Sequence, residues 1–276
     1  MAIVINTNMP SIQSQRYLTR STMALSKTFE RLSSGLRVNH AADDAAGLSI
    51  TTRMTAQVRG VNQAMRNAND AISLVQVADG SLEETNSALQ RIRELTVQAA
   101  SDTYTSTDRA DIQKEVNQLV SEIQRIASQT SFNKQGVIDG TYSSKKFQIG
   151  AYNGQQLSIT IGAATAAGLG ITALSNTISG ATASAITALI ANVDNAINSV
   201  AVIRSQLGAY QNRFEAVVAN LGTMSEGISA ARSRVLDADI AAETAALTRN
   251  SILQQAGTAM LAQANQQPQI ALQLLK

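Results

Sequence analysis

Leucines at 18, 25 and 32 sit seven apart, and Thr22, Phe29 and Leu36 each follow four later, a spacing that lays a coiled-coil seam along one helix. Pro10 and Ser11 suit a first helical turn and Gly35 a stop, which predicts a helix from about Ser11 to Ser34. The following GLRVNHAADDAAGL has no helical stripe and reads as a connector, with Asp43 and Asp44 placed to complement the positive end of the next helix. In that helix Val58, Met65 and Ile72, with Val61, Ala68, Val75, Leu82 and Leu89 offset by three, hold one seam, which Ile92, Leu95 and Ala99 continue with a shift. Continuous from Ala45 to Ala100, it would run about 84 Å at 1.5 Å per residue and would need partners along its length. After the turn and capping residues of SDTYTSTD, Ile112, Val116, Leu119, Ile123 and Ile126 mark a shorter helix that can fold back.

Beyond Phe132 the period changes. Phe147 and Ile149, then Leu157, Ile159 and Ile161, alternate about Asn153-Gly154 as a β-hairpin does. From Gly162 to Ser184 the chain is Ala, Thr, Gly and Ser with scattered Leu and Ile, and the expectation is an exposed segment. Helical spacing resumes at Ile186 and runs through Val193, Val200, Leu207, Phe214 and Leu221 to Ile228. The last helix contains Asn250 to Leu275, which has no charged residue. Ile252, Ala256, Ala259, Gln263, Gln266 and Ile270 form its stripe, beside Met260, and amides replace the charged face that a helix normally turns to water. Gln, Asn and Pro268 make it too polar for a membrane span. The predicted fold is mainly α: an elongated antiparallel helical coiled-coil bundle built from both chain ends, with a small β-hairpin at its tip. Three regions are expected: 1–44 with 234–276, 45–140 with 186–233, and 141–185.

The 276 residues are 44% hydrophobic and 15% charged, as in a folded protein, but only 3% aromatic, which favours thin helix-on-helix seams. A net charge of +2 gives no electrostatic case for nucleic acid or anionic lipid. With no cysteine there is neither a disulfide framework nor a thiolate nucleophile. The first residues lack the basic and apolar regions of a conventional signal peptide, so export, if it occurs, is expected by another route. A Ser-His-Asp triad would have to use His40, the sole histidine, which sits in the connector near Ser33 and Ser34 and reads as solvated or interface-packed. Gly168 to Ala173 fits the dinucleotide-loop pattern G-x-G-x-x-G/A but follows a hairpin instead of opening a βαβ unit. No metal-site motif occurs, so no enzyme, cofactor or metal is expected.

IVINTNMPSIQSQRYL, LSKTFERLSSGLRVNHAADDAAGLSI, QRIRELTVQAAS and SQTSFNKQGVIDG near the start, with NRFEAVVANLGTMSEGISAARSRVLDADIAAETA and ILQQAGTAMLAQANQQPQIALQLL near the end, strongly resemble bacterial flagellins. The resemblance covers about residues 1–140 and 186–276; the large outer domains that many flagellins carry between them have only about 45 residues' room here. It implies an exported, extracellular structural subunit that leaves unfolded through the flagellar type III channel and polymerises beneath a cap into the filament used for swimming. It also implies terminal segments that order on assembly, an export chaperone on the C-terminal helix, and hook-filament junction proteins as neighbours. Assembly is then expected to use Leu18, Leu25, Phe29, Leu32 and Leu36 with Ile252, Ala256, Ala259, Met260 and Ile270 in a terminal coiled coil. QRIRELTVQ resembles the segment seen by Toll-like receptor 5, with Arg91, Leu95 and Glu115 at the matching positions. A hook-filament junction protein, which shares such termini, and a secreted monomeric adhesin or receptor ligand are the alternatives.

Overall fold

The computed structural model describes the backbone of residues 7–175, 177–180 and 182–273, and the side chains of those residues except 183 and 268–273. The fold is mainly α: α1 (Met9–Ser34), α2 (Ala45–Ala99), α3 (Ser106–Gln129), β1 (Ser131–Phe132), β2 (Gln135–Gly136), β3 (Lys145–Gln148), β4 (Gln156–Ile159), α4 (Ala183–Leu236) and α5 (Ile240–Gln273). Local signals set the boundaries. The Asn8 side chain caps α1 by accepting from the Ser11 amide, and Gly35 ends it in the left-handed conformation at φ 70°. The Asp44 carboxylate accepts from the Gly47 amide at 2.7 Å and so starts α2. Thr105 and Asp108 form a reciprocal capping box at the start of α3.

The chain divides into two compact units, residues 1–56 with 227–276 and residues 57–226, so that α2 and α4 each contribute to both. In the second unit α2 and α4 run antiparallel. Their ties are Ser225 to Asn62 at 3.0 Å, Arg204 to Asp79 at 2.8 Å and Arg93 to Asp194 at 2.6 Å. Leu82, Leu89 and Ile92 of α2, Val116 and Ile123 of α3, and Ile186, Val193, Val200, Leu207 and Phe214 of α4 are fully or almost fully buried in one core. Part of α4 reaches a mean hydropathy of 1.5, enough by length and composition for a membrane span. Many of its large apolar side chains, from Ile186 to Phe214, instead line this core, although Val202 is exposed, and Asp194 and Arg204 make ion pairs.

The hairpin expected about Asn153-Gly154 is β3–β4, with Phe147 opposite Leu157 and Gly154 at φ 83° in the turn. Phe147 packs edge-on to Phe214 at 5.8 Å between ring centroids, which holds the hairpin to α4. Gly60 fixes its seat on α2, because a Cβ there would lie 2.9 Å from that of Ala151. The pattern does not predict a second, smaller hairpin, β1–β2. Its turn is Asn133-Lys134, both at positive φ (49° and 65°), and lysine occupies the position where glycine would have signalled the turn.

The segment from Gly162 to Ser184 is not the exposed stretch that its composition suggests. Ala164, Ile171, Leu174 and Ile178 are completely buried and belong to the core of the second unit. Sparse apolar residues suffice because side chains of α3 satisfy the irregular backbone. Buried Gln113 donates to the Leu174 carbonyl at 2.8 Å and accepts from the Ile178 amide at 2.6 Å, while the Gln124 carbonyl oxygen accepts from the Ala166 amide at 3.1 Å. The Gly168–Ala173 pattern falls in turns and a short 3-10 helix (Thr172–Leu174), without the strand-turn-helix that dinucleotide binding needs.

Gln113→Leu would leave the Leu174 carbonyl and the Ile178 amide unpaired in the core. Two such groups, at roughly 1–3 kcal/mol each, predict a loss of about 2–6 kcal/mol in denaturant unfolding, with new protease cuts between residues 162 and 182 and little change in helix content.

Candidate assembly surface

In the first unit α1 and α5 pair antiparallel. Ser11 donates to the Asn265 side chain at 2.7 Å, Ser21 to the Asn250 carbonyl at 3.2 Å, and Arg31 to Glu243 at 3.1 Å. Ser11, Ser14, Leu18, Ser21, Leu25, Thr28 and Leu32 form the buried or half-buried stripe of α1. Glu243, Leu247, Asn250, Gln254, Gly257, Leu261 and Ala264 form that of α5, and both follow the three-then-four spacing of a coiled coil. Gly257 has no side chain to hold Leu18 away; a Cβ there would sit 3.4 Å from the Leu18 Cδ1.

Leu18, Leu25 and Leu32 lie on the seam as their spacing predicts. Their companions are Ser21 and Thr28, three residues on, and not Thr22 and Phe29, four on. Phe29 is 57% exposed and Thr22 is also exposed. Leu36 follows α1 in the turn and is half-buried. On α5 the apolar stripe is not the face toward α1: Ile252 is 59% and Met260 61% exposed, and Ala256 and Ala259 are exposed as well. The physical reason is that Glu243, Asn250, Gln254 and Gly257 interrupt the paired face between Leu247, Leu261 and Ala264, so counting apolar residues selects the opposite one. The side chain of Ile270 lies outside the described residues.

A backbone clasp closes the near end of this pair. The Arg37 amide donates to the Leu236 carbonyl at 2.7 Å and the Ala238 amide to the Gly35 carbonyl at 2.9 Å, around a bridge between Leu36 and Asp237. The connector is held by charge. Lys27 meets Asp43 at 2.8 Å, and the other Asp43 oxygen accepts from the amides of Asn39 and His40 at 3.2 and 3.1 Å. His40 Nε2 lies 2.8 Å from Glu30, which also accepts from the Asn39 side chain, so the only histidine is part of this surface network.

Burial differs sharply between the units. Among the described residues the first unit buries only two apolar side chains to the core level, Val38 and Ala264, beside Ser11, Thr28 and Thr51. It also carries most of the large apolar side chains left exposed, including Ile12, Tyr17, Met23 and Phe29 on α1 and Ile240, Ile252, Leu253 and Met260 on α5. Soluble monomers seldom leave so much apolar surface open on paired helices, and faces of this kind mark contact with other protein.

The three positions proposed for receptor contact do not share one environment. Arg91 reaches from α2 to Glu115 of α3 at 2.9 Å and to Glu94 at 3.0 Å, with Arg91 and Glu115 both about half exposed; the bonds to Glu115 and then Glu94 raise the arginine pKa above its ordinary value. Leu95 is 3% exposed and packs in the core of the second unit, so it supports this surface from beneath and offers no contact of its own.

Residues 5–143 match the bacterial flagellin N-terminal helical region, and residues 190–275 match the bacterial flagellin C-terminal helical region. A flagellin of Halalkalibacterium halodurans is 43% identical over 274 residues, covering 99% of this chain and 100% of the relative. A flagellar filament 33 kDa core protein of Treponema phagedenis is 43% identical over 286 residues with the same coverage. A solved structure from Vibrio parahaemolyticus, described as a flagellar hook-associated protein, superposes with a TM-score of 0.61 over 71% of this chain and 100% of its own. At 12% identity that likeness concerns the fold alone.

The connector predicts an acid response. Lys27 first, then the amides of His40 and Asn39, hold the Asp43 carboxyl well below the ordinary carboxylate range. The unfolded chain therefore takes up this proton first: the stabilisation is complete above about pH 3.9, the unfolded value, and declines as pH falls below it. Asp43→Asn is expected to flatten this part of the acid transition in helix content followed by circular dichroism between about pH 5 and pH 2. A profile identical to that of the unaltered chain contradicts this role for Asp43.

Proposed function

The chain belongs to the bacterial flagellin family, and from that premise we propose that it is the structural subunit of a flagellar filament, joined to its neighbours through the faces of α1 and α5 that a single copy leaves open. The observation that carries the reading is the contrast in burial. The second unit closes a large core on itself, whereas the first pairs two helices through leucines interspersed with serines, amides and a glycine and leaves Phe29, Ile252, Leu253 and Met260 uncovered. Covering a large apolar side chain contributes about 1.5–3 kcal/mol, so a few such contacts per subunit can offset the entropy of ordering the two chain ends. Repeated head-to-tail contacts that do not close into a ring generate a helical polymer.

In this reading Leu18, Leu25 and Leu32 hold the intrachain pair, while Phe29, Ile252, Ala256, Ala259 and Met260 meet other copies. The terminal segments 1–44 and 234–276 then line the filament core, and 45–140 with 186–233 surrounds them. The chain is secreted through the flagellar export channel, a chaperone covers α5 before export, and cap and junction proteins bound the polymer. The protein is structural, not an enzyme.

The test is seeded growth. Purified chain added to short filament seeds is expected to elongate them. Ile252→Asp combined with Met260→Asp should slow elongation more than tenfold without loss of helix content, since both side chains are exposed in the single copy. Failure of the unaltered chain to elongate favours the monomeric adhesin reading, and a chain that adds one layer and then blocks growth favours a junction protein.

A second reading, recognition by Toll-like receptor 5, rests on the exposed Arg91–Glu115 pair bridging α2 and α3. Arg91→Ala and Glu115→Ala are each expected to lower activation of a receptor reporter cell by about tenfold or more, with folding unchanged in circular dichroism. Activation by both variants at the level of the unaltered chain removes this surface from the receptor reading.

A further inference from the structure

We propose that Met9, Met23 and Met260 are oxidation-sensitive positions that together control assembly: peroxide converts their thioethers to sulfoxides and leaves the chain unable to elongate a filament. The inference rests on the filament reading above and adds to it a chemical condition under which growth stops.

The three most exposed large apolar side chains among the described residues are these methionines, at 63%, 67% and 61%, and all three belong to the first unit. The methionines of the second unit are placed differently: Met65 and Met224 pack against Val61, Ala64 and Leu221. Met23 also lines an open groove of about 610 Å³ beside Leu18, Thr22 and Lys27, which a small peroxide can enter freely. The chain has neither cysteine nor tryptophan, so no thiol or indole competes for the oxidant and the thioether is its most readily oxidised side chain.

In the reaction a sulfur lone pair attacks the outer oxygen of the peroxide. The O–O bond breaks, an S–O bond forms, sulfur gives up two electrons, and the remaining oxygen leaves with a proton as water or an alcohol. The product is a polar, chiral group where an apolar, flexible one stood. A neighbouring copy that covered the oxidised face would lose the transfer free energy of the thioether and would have to desolvate the sulfoxide oxygen as well. The control acts on subunits before they join, because a face already covered in the filament is closed to peroxide. Methionine sulfoxide reductases reverse the step and so would return the chain to the growing pool.

The experiment uses the full chain, short filament seeds and dilute hydrogen peroxide, with sulfoxides located by peptide mass spectrometry. Expected are sulfoxides at Met9, Met23 and Met260 ahead of Met65 and Met224, at least a tenfold fall in elongation rate, and recovery after reductase treatment. Intact filaments given the same peroxide should show the three sites protected. A chain with all three replaced by leucine, compared with its own untreated rate, should lose less than twofold. Undiminished elongation by chain carrying the three sulfoxides overturns the inference, as does equal oxidation of the three sites in filaments and in free chain, or an equal loss in the leucine variant. An untreated chain that does not elongate seeds overturns the filament reading and this inference with it.

Discussion

A helix pair whose contact stripe is half serine, threonine and amide cannot close a dry core, and the first unit is built on such a pair. Hydrogen bonds such as Ser11 to Asn265 fix the alignment of α1 on α5, yet each contributes only about 1 kcal/mol net because it replaces bonds to water. Alignment without much burial specifies which residues meet while leaving the pair weakly held. The large apolar side chains that would have supplied the missing stability point outward.

The second unit shows the opposite arrangement. Its helices share an aliphatic core with Phe214 at one end, and even the irregular stretch around Leu174 is drawn in by the amide of Gln113. Within one chain, then, one unit completes its burial alone and the other leaves burial to be completed by contacts outside the molecule. That division suits a polymer subunit: one unit buries its own apolar side chains, and the paired terminal helices keep theirs open.

Much of this was legible in the sequence. The leucines at 18, 25 and 32, the stop at Gly35, the long seam of α2 and the hairpin about Gly154 follow from spacing and turn chemistry, because each rests on short-range geometry. The partner stripe of α5 was not legible, since Asn250, Gln254 and Gly257 carry no apolar signal and become a seam only when Leu18 and Thr28 face them. The burial of Ile171 and Ile178 was hidden for a similar reason: it depends on a glutamine about sixty positions away in the chain. Leu95 is instructive in another way. Its place in the α2 seam already implied burial, and it is buried in the core of the second unit, beneath the exposed Arg91 and Glu115 to which the resemblance joins it.

The clasp between residues 35–38 and 236–238 is made mainly of main-chain amides and carbonyls, with the Arg37 guanidinium adding one side-chain bond, to the Val235 carbonyl at 2.7 Å. A junction of that kind is indifferent to the identity of most residues that form it. The point at which the two terminal helices are joined is therefore set by the backbone, whatever contacts the side chains on their outer faces go on to make.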